Sequence, residues 1–287
     1  MSLKMLLKRS LVEADRLVIN GFKPATRSGA SRVAAAIDPG WVEVTQRKLT
    51  LPRLDPAFDG YRLAQFSDIH MDNWMTPERI SQVVDLVNAQ QPDLIAITGD
   101  FITHHAEQYT PSLTPLLERL SARDGVVAIR GNHDHWAGAR AINRMLRASG
   151  IVNLCNSAIS LHRGLASLHF AGVDDFYVHA DRLDLTLKKL PPKGAAVLLA
   201  HEPDYADISS RTGRFDLQIS GHTHGGQIDL PVVGRMFLPR HARKYPCGLY
   251  RVGGMWLYTN RGLGMSHFHI RYNAKSEVTL YTLESVK

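Results

Sequence analysis

Five short apolar runs between Tyr61 and His224 each end on residues able to hold a metal ion, and no other feature restricts the fold so strongly. Tyr61–Phe66 leads into Asp68-Ile69-His70, Asp93–Thr98 into Gly99-Asp100, and Val126–Ile129 into Gly131-Asn132-His133-Asp134. Ala196–Leu199 leads into Ala200-His201, and Asp216–Ile219 into Gly221-His222-Thr223-His224. Short apolar runs bounded by glycine or other turn residues read as buried strands. Five strand ends meet in one place when the strands share a direction, because sites in α/β sheets form at the carboxyl edge. A lone Asp-x-His or Gly-Asp says nothing; five such endings, in order, point to one centre.

The intervening sequence supplies the helices that such a sheet needs. Thr76-Pro77 offers an N-cap and a proline at the first helical position, and Ile80, Val83, Val84 and Val87 follow at helical spacing. Leu113–Leu120 and Ala139–Ala148 also read as helices, so the rhythm predicts a largely parallel sheet with helices on its faces. Further on, Ser157–Leu161, Ser167–Val173, Gly248–Val252, Met255–Thr259 and Glu277–Thr282 join the runs before His201 and His222 as short strands. Together they suggest a second sheet packed on the first.

Each ligand type has a chemical reason. Asp68/His70 and His222/His224 alternate, so on an extended segment each pair projects to one side and can share an ion. Imidazole with carboxylate suits Mn, Fe, Co, Ni or Zn. Asp100, on a glycine-led turn, has two oxygens to offer to two ions, and Gly99, Gly131 and Gly221 let the backbone approach the cluster. Asp134 reads as either an orienting partner for a ligand histidine or a cap. His135 and Trp136 read as pocket rim, while His104, His105, Asn73 and Trp74 are loop residues near the strand ends.

The chain has 287 residues, 44% of them hydrophobic, enough for a core that needs no disulfide or metal to fold. Cys155 and Cys247 form neither a disulfide framework nor a thiolate zinc site and are expected to be ordinary thiols. No apolar run reaches the roughly 18 residues of a spanning helix, which excludes an integral membrane protein. No secretory signal is read after Met1, so the expected location is cytoplasmic, with peripheral association on the inner face of the membrane as its extension.

The net charge is +7 and uneven. Residues 1–53 hold ten bases and four acids, and Leu230 to Ser276 holds eight bases and no acid. Such a field favours an anionic phosphate-containing small molecule or lipid. Arg240, Arg243, Lys244 and Arg261 are the expected substrate-phosphate contacts. Residues 1–20 read as an amphipathic helix, with Leu3, Leu6, Leu7, Leu11, Ala14 and Val18 on one face; it either packs on its own domain or lies on an anionic membrane surface. Residues 21–40 read as a linker and 41–287 as the catalytic domain. The sequence leaves the oligomeric state open.

The series D-x-H, G-D, G-N-H-D, H and G-H-T-H resembles the calcineurin-like metallophosphoesterase superfamily, from about Tyr61 to Leu283. The resemblance implies an α/β fold, a four-layer α-β-β-α sandwich of two mixed sheets with the metal site at the strand C-terminal edge. It implies two divalent ions, manganese first, with Fe, Zn, Ni or Co as alternatives. One ion would be held by Asp68, His70, Asp100 and His224, the other by Asp100, Asn132, His201 and His222, with Asp100 bridging. His133 would contact the phosphate and assist the leaving group. His201-Glu202-Pro203-Asp204 and Gly221-His222-Thr223-His224-Gly225-Gly226-Gln227 look like a bacterial branch of membrane-associated phosphodiesterases. That branch includes the calcineurin-like UDP-2,3-diacylglucosamine pyrophosphohydrolase of lipid A synthesis, which makes a lipid-linked nucleotide the favoured substrate. Relatives there often begin with a twin-arginine signal, which Lys8-Arg9 is not. The alternatives are a nuclease or generic phosphodiesterase, and a non-catalytic metal-binding scaffold. No specific nucleic acid is expected, because the basic residues are not interleaved with a stacking platform.

Overall fold

Two six-stranded mixed sheets carry the centre. The computed structural model describes residues 41–235, 237–266 and 269–286, so the expected helix 1–20 and linker 21–40 lie outside the described residues. In chain order the main elements are β1 (Val42–Thr50), β2 (Tyr61–Phe66), α1 (Pro77–Ala89), β3 (Leu94–Thr98), α2 (Ala106–Leu117), β4 (Val126–Ile129), α3 (Asn132–Ala148) and β5 (Val152–Asn153). There follow β6 (Ser157–Arg163), β7 (Ala166–Gly172), α4 (Leu183–Lys189), β8 (Ala195–Leu199), α5 (Ala206–Ser209) and β9 (Leu217–Ser220). A small hairpin of β10 (Asp229–Leu230) and β11 (Gly234–Arg235) precedes β12 (Gly248–Val252), β13 (Met255–Thr259) and β14 (Ser276–Glu284).

The first sheet has the order β1-β14-β2-β3-β4-β5 and the second β12-β13-β9-β8-β7-β6. β2 to β5 are parallel to one another, as are β7, β8, β9 and β13, so five ligand-bearing strands present their carboxyl ends in two parallel blocks. Between the sheets, Leu63, Leu94, Ala96, Val127 and Ile129 pack in one buried cluster with Leu168, Phe170, Val197, Leu199, Leu217 and Ile219. The alternate residues of the second sheet, Ala171, Ala196, Leu198 and Leu257, cluster with Leu190, Tyr205 and Phe215 on its other face. Burial on both faces is why these strands are continuous apolar runs rather than alternating ones. On α1, Ile80, Val83, Val84 and Val87 are buried, as their spacing predicts. Both cysteines are free and half-buried.

Three expectations change. The last strand belongs to the first sheet, not the second: β14 lies between β1 and β2, parallel to one and antiparallel to the other. Its apolar pattern specifies burial but not a partner, and nine register pairs with β1 decide the placement. Helix α2 starts at Ala106 rather than near Leu113, and Pro111 and Pro115 lie inside it. Helix α3 starts at Asn132 rather than at Ala139, with Gly138 (φ 135°) breaking it, so the Asn-His-Asp motif forms a helical first turn instead of a loop. Among the described residues no helix is long and apolar enough to cross a membrane.

Candidate metal centre

Asp68, His70, Asp100, Asn132, His201, His222 and His224 all leave the carboxyl ends of β2, β3, β4, β8 and β9, and none is more than 5% exposed. Asp100 Oδ2 lies 3.5 Å from His70 Nε2 and 3.1 Å from His201 Nε2. Asp68 Oδ1 lies 3.5 Å from His224 Nε2 and 3.9 Å from His70 Nε2. Donor atoms converge within 4.8 Å in three groups: Asp68/His70/His224, Asp100/His201/His222, and His70/Asp100/His133. Asp100 thus belongs to a group on each side of the centre.

The donor set fits divalent cations. His70 Nε2, His201 Nε2 and Asn132 Oδ1 are buried and make no hydrogen bond. Buried polar atoms are ordinarily paired, and three orphans at one place are the signature of a missing common partner. The opposite ring nitrogens explain their aim. His201 Nδ1 donates to the Thr98 carbonyl at 2.7 Å, His224 Nδ1 to Gly264 at 3.2 Å, and His222 Nε2 to the Arg240 carbonyl at 2.9 Å. His70 Nδ1 lies 3.1 Å from the Thr103 hydroxyl. The three carbonyls, which only accept, fix the tautomers of His201, His224 and His222 and turn the remaining nitrogens inward.

The ligand pairs are aimed differently from the sequence expectation. Asp68, His70, Asp100, His222 and His224 have positive φ, between 48° and 70°. The pairs Asp68/His70 and His222/His224 therefore project from left-handed turns, not from an extended pleat. Such a conformation costs about 1–3 kcal/mol at a non-glycine residue and persists where the surroundings impose it. Here the strand-end backbones are laced together. Asp68 N–H donates to the Gly99 carbonyl, His70 N–H to the Asp100 carbonyl, and Gly221 N–H to the His201 carbonyl. His222 N–H donates to the Asp68 carboxylate at 3.0 Å.

Buried Asp134 resolves its two readings. Its carboxylate accepts from the N–H groups of Gly131, Asp100 and Phe101 at 2.9–3.0 Å, so it pins the Asp100 strand end to the first turn of α3. His133 occupies that turn. Its N–H donates to Asp100 Oδ1 at 2.9 Å and its Nδ1 to the Thr103 carbonyl at 3.2 Å. Its ring meets that of His70 edge-on, with centroids 4.7 Å apart.

Electrostatically the site is poised for cations. Burial holds the imidazoles of His70 and His224 well below their ordinary value and brings His222 down to about 3, leaving them neutral. Burial likewise pushes the Asp68 carboxyl up to about 6. It also opposes a proton on His201, but Asp100, with Asp68 and Glu202, outweighs it and holds that imidazole well above its ordinary value. Neutral histidine and carboxylate are the forms that bind a divalent ion.

Close approach explains one glycine. A Cβ on Gly221 would lie 2.0 Å from Ser67 Oγ and 2.4 Å from Asp68 Oδ2. Gly221→Ala is expected to lose about 2–4 kcal/mol of stability, by overpacking and displacement of a ligand carboxylate, and to weaken metal retention. Denaturant unfolding with elemental analysis checks it; a variant unchanged in both would contradict this packing.

A second network supports the same turn. Asp174 takes hydrogen bonds from His135 Nε2 at 2.9 Å and from Arg130. Burial alone would raise its carboxyl, but these donors outweigh it and hold it at about 2. The folded value lies below the unfolded one, about 3.9, so the group stabilises the fold fully above pH 5 and loses that contribution as pH falls through 2. Asp174→Asn is expected to cost about 2 kcal/mol at pH 7, and the gap from the parent should narrow steadily below pH 4. Unfolding curves across pH 3–7 check this, and a pH-independent gap would contradict it.

The four basic residues named for substrate contact separate. Arg261 is committed to Glu277 at 3.0 Å and Glu43 at 2.7 Å, and Lys244 to Asp207 at 2.7 Å, so carboxylates already neutralise both. Arg240 and Arg243 are exposed, and Arg240 leaves the backbone at the carbonyl that His222 meets. Sequence reasoning missed Arg271, whose half-buried guanidinium donates to the carbonyls of Arg261, Gly262, Gly264 and Ala274 and lies 3.3 Å from His224 Nδ1. It ties down the loop whose Gly264 N–H meets the Asp68 carbonyl. Thr103, orienting both His70 and His133, was missed too. Thr103 lies 33 and 30 residues from the histidines it orients, and Arg271 reads as one more base of the acid-free stretch until its loop meets the Asp68 carbonyl.

Residues 61–226 match the family described as calcineurin-like phosphoesterase. The chain is 35% identical over 264 residues to the uncharacterized metallophosphoesterase YkuE of Bacillus subtilis, covering 91% of this chain and 92% of that protein. It is 29% identical to the phosphodiesterase YaeI of Escherichia coli, covering 97% and 100%. A dimetal phosphatase structure from Danio rerio aligns with a TM-score of 0.46 at 11% identity, over 78% of this chain and 99% of that one.

Proposed function

The chain belongs to the calcineurin-like phosphoesterase family and is a metal-dependent hydrolase of phosphoesters, and from that premise we propose the chemistry its own residues perform. Asp68, His70, Asp100 and His224 would hold one divalent ion, and Asp100, Asn132, His201 and His222 the second, manganese first among the candidates. Two such ions, when bound, supply an activated water and neutralise charge on the phosphoryl oxygens. His133 stands beside Asp100 with Nδ1 satisfied, so Nε2 is the atom that donates a proton to the departing oxygen. Arg240 and Arg243 meet the outer phosphate oxygens, replacing the wider set of four.

The observation that carries this reading is Asp100, one carboxylate serving donor groups on both sides of the centre. His133 speaks against a bare scaffold, which needs no oriented histidine without a ligand role. Within the class, a phosphodiester or pyrophosphate is favoured, and a lipid-linked nucleotide such as UDP-2,3-diacylglucosamine is the finer proposal. It is supported by the exposed arginines in the acid-free stretch from Leu230 to Ser276 and by the basic segment 1–53, for which an anionic membrane surface is the matching partner.

The test is chelation followed by reloading. Removal of metal is expected to lower cleavage of bis(p-nitrophenyl) phosphate by about a hundredfold or more, with recovery on adding Mn. Hydrolysis untouched by thorough chelation would overturn the proposal. Comparing UDP-2,3-diacylglucosamine with single-stranded DNA then separates a lipid precursor from a nucleic-acid backbone.

A further inference from the structure

We propose that Trp136 and Tyr177 form a stacking platform beside the metal centre that takes a planar aromatic group of the substrate, a nucleobase above all. The proposal rests on the phosphodiesterase reading above and gives that site a substrate class.

Trp136 opens the second turn of α3, three residues after His133. Its ring centroid is 4.9 Å from that of His133 and 5.5 Å from that of Tyr177, crossed at 68° and 87°. Tyr177 in turn stands 6.1 Å from His222. The rings therefore run without a gap from the proposed proton donor on one side to a ligand histidine on the other. Trp136 nevertheless remains 54% exposed. An indole left that open forgoes much of its burial free energy, and beside a buried polar centre such a surface marks a place where a ligand completes the packing.

The platform is held rigidly. Its flanking residue His135 is hydrogen-bonded to Asp174, and the N–H groups of Phe176 and Tyr177 donate to the Glu202 carboxylate at 3.2 and 2.9 Å. Gly138 breaks the helix two residues after Trp136, so the indole is released from the buried face that Ala141, Ile142, Met145 and Leu146 continue. Crossed rings flanked by imidazoles and a phenol suit a flat heteroaromatic with polar edges. An acyl chain calls for a closed apolar groove instead. The platform also supplies the aromatic element missing from the sequence as read for a nuclease.

Two diesters that differ only in the base provide the test: methyl thymidine 5′-phosphate and methyl 2-deoxyribose 5-phosphate, with the manganese-loaded full chain. Stacking predicts a KM about tenfold lower, or more, for the thymidine diester. Trp136→Ala should bring the two KM values together, whereas Trp136→Phe should keep most of the gap. Thymidine itself, which has no phosphate to lose, should quench the tryptophan emission of the parent and not that of Trp136→Phe. An oligothymidylate arm names the source of the base: a further fall in KM assigns it to a strand, and no fall to a free nucleotide ester, both with the platform in use. Equal KM values in the parent, with both diesters cleaved, overturn the platform and leave the phosphodiesterase reading standing. Failure to cleave either diester or bis(p-nitrophenyl) phosphate overturns that reading, and the quenching experiment still decides the platform.

Discussion

Replacing His133 with alanine is expected to leave two metals per chain while turnover falls by about 10²–10⁴-fold, the usual contribution of a positioned general acid. The backbone explains why the metals should stay. His133 reaches Asp100 Oδ1 through its N–H, which alanine keeps, while its ring is held by the Thr103 carbonyl. Truncation therefore removes a proton donor without removing the hydrogen bond that orients the shared carboxylate. The loss should be largest for alkyl esters and smaller for nitrophenyl esters, whose leaving group needs little protonation. Elemental analysis beside kcat on both ester types checks this. Because His70, Asp100 and His133 also form a compact donor group, loss of metal in the variant would instead make His133 a ligand.

Asp100→Asn is the more severe change. The side chain keeps its shape but offers one neutral oxygen where two charged ones stood, so only one donor group can still use it. The amide nitrogen would also confront His70 Nε2 or His201 Nε2, 3.5 and 3.1 Å from Asp100 Oδ2. Metal content is expected to fall from two to one or fewer, with turnover down by about a thousandfold or more, several kcal/mol of lost charge stabilisation. His201 should lose its raised proton affinity in the apo variant, since Asp100 is the principal group sustaining it. Metal stoichiometry, kcat and an imidazole titration of the apo variant are the measurements. Two metals and parental turnover in Asp100→Asn would refute a shared carboxylate.

How much of this was legible depended on whether the cause was local. The burial of Ile80, Val83, Val84 and Val87 follows from helical spacing, and the five ligand-bearing strand ends follow from apolar runs that stop at polar residues. Asp134 was visible as a candidate but not in its role, because that role is to collect N–H groups from two separate strand ends. Trp136 reads from the sequence as rim, yet its relation to Tyr177 exists only once the sheets pack, since Trp136 follows β4 in the first and Tyr177 follows β7 in the second. Arg261 and Lys244 looked like open cations until distant carboxylates, Glu277 and Asp207, were brought against them.

By itself, then, the chain's order of residues determined which side chains are candidates to hold metal and that strands deliver them, since burial and backbone direction are set by short-range patterns of apolar and polar residues. Only the tertiary structure decided where β14 inserts, how left-handed turns rather than pleats aim the ligands, and which arginines remain open to solvent. Those outcomes depend on hydrogen bonds and ion pairs between segments far apart in sequence, and such partners become neighbours only when both sheets have closed on their common core.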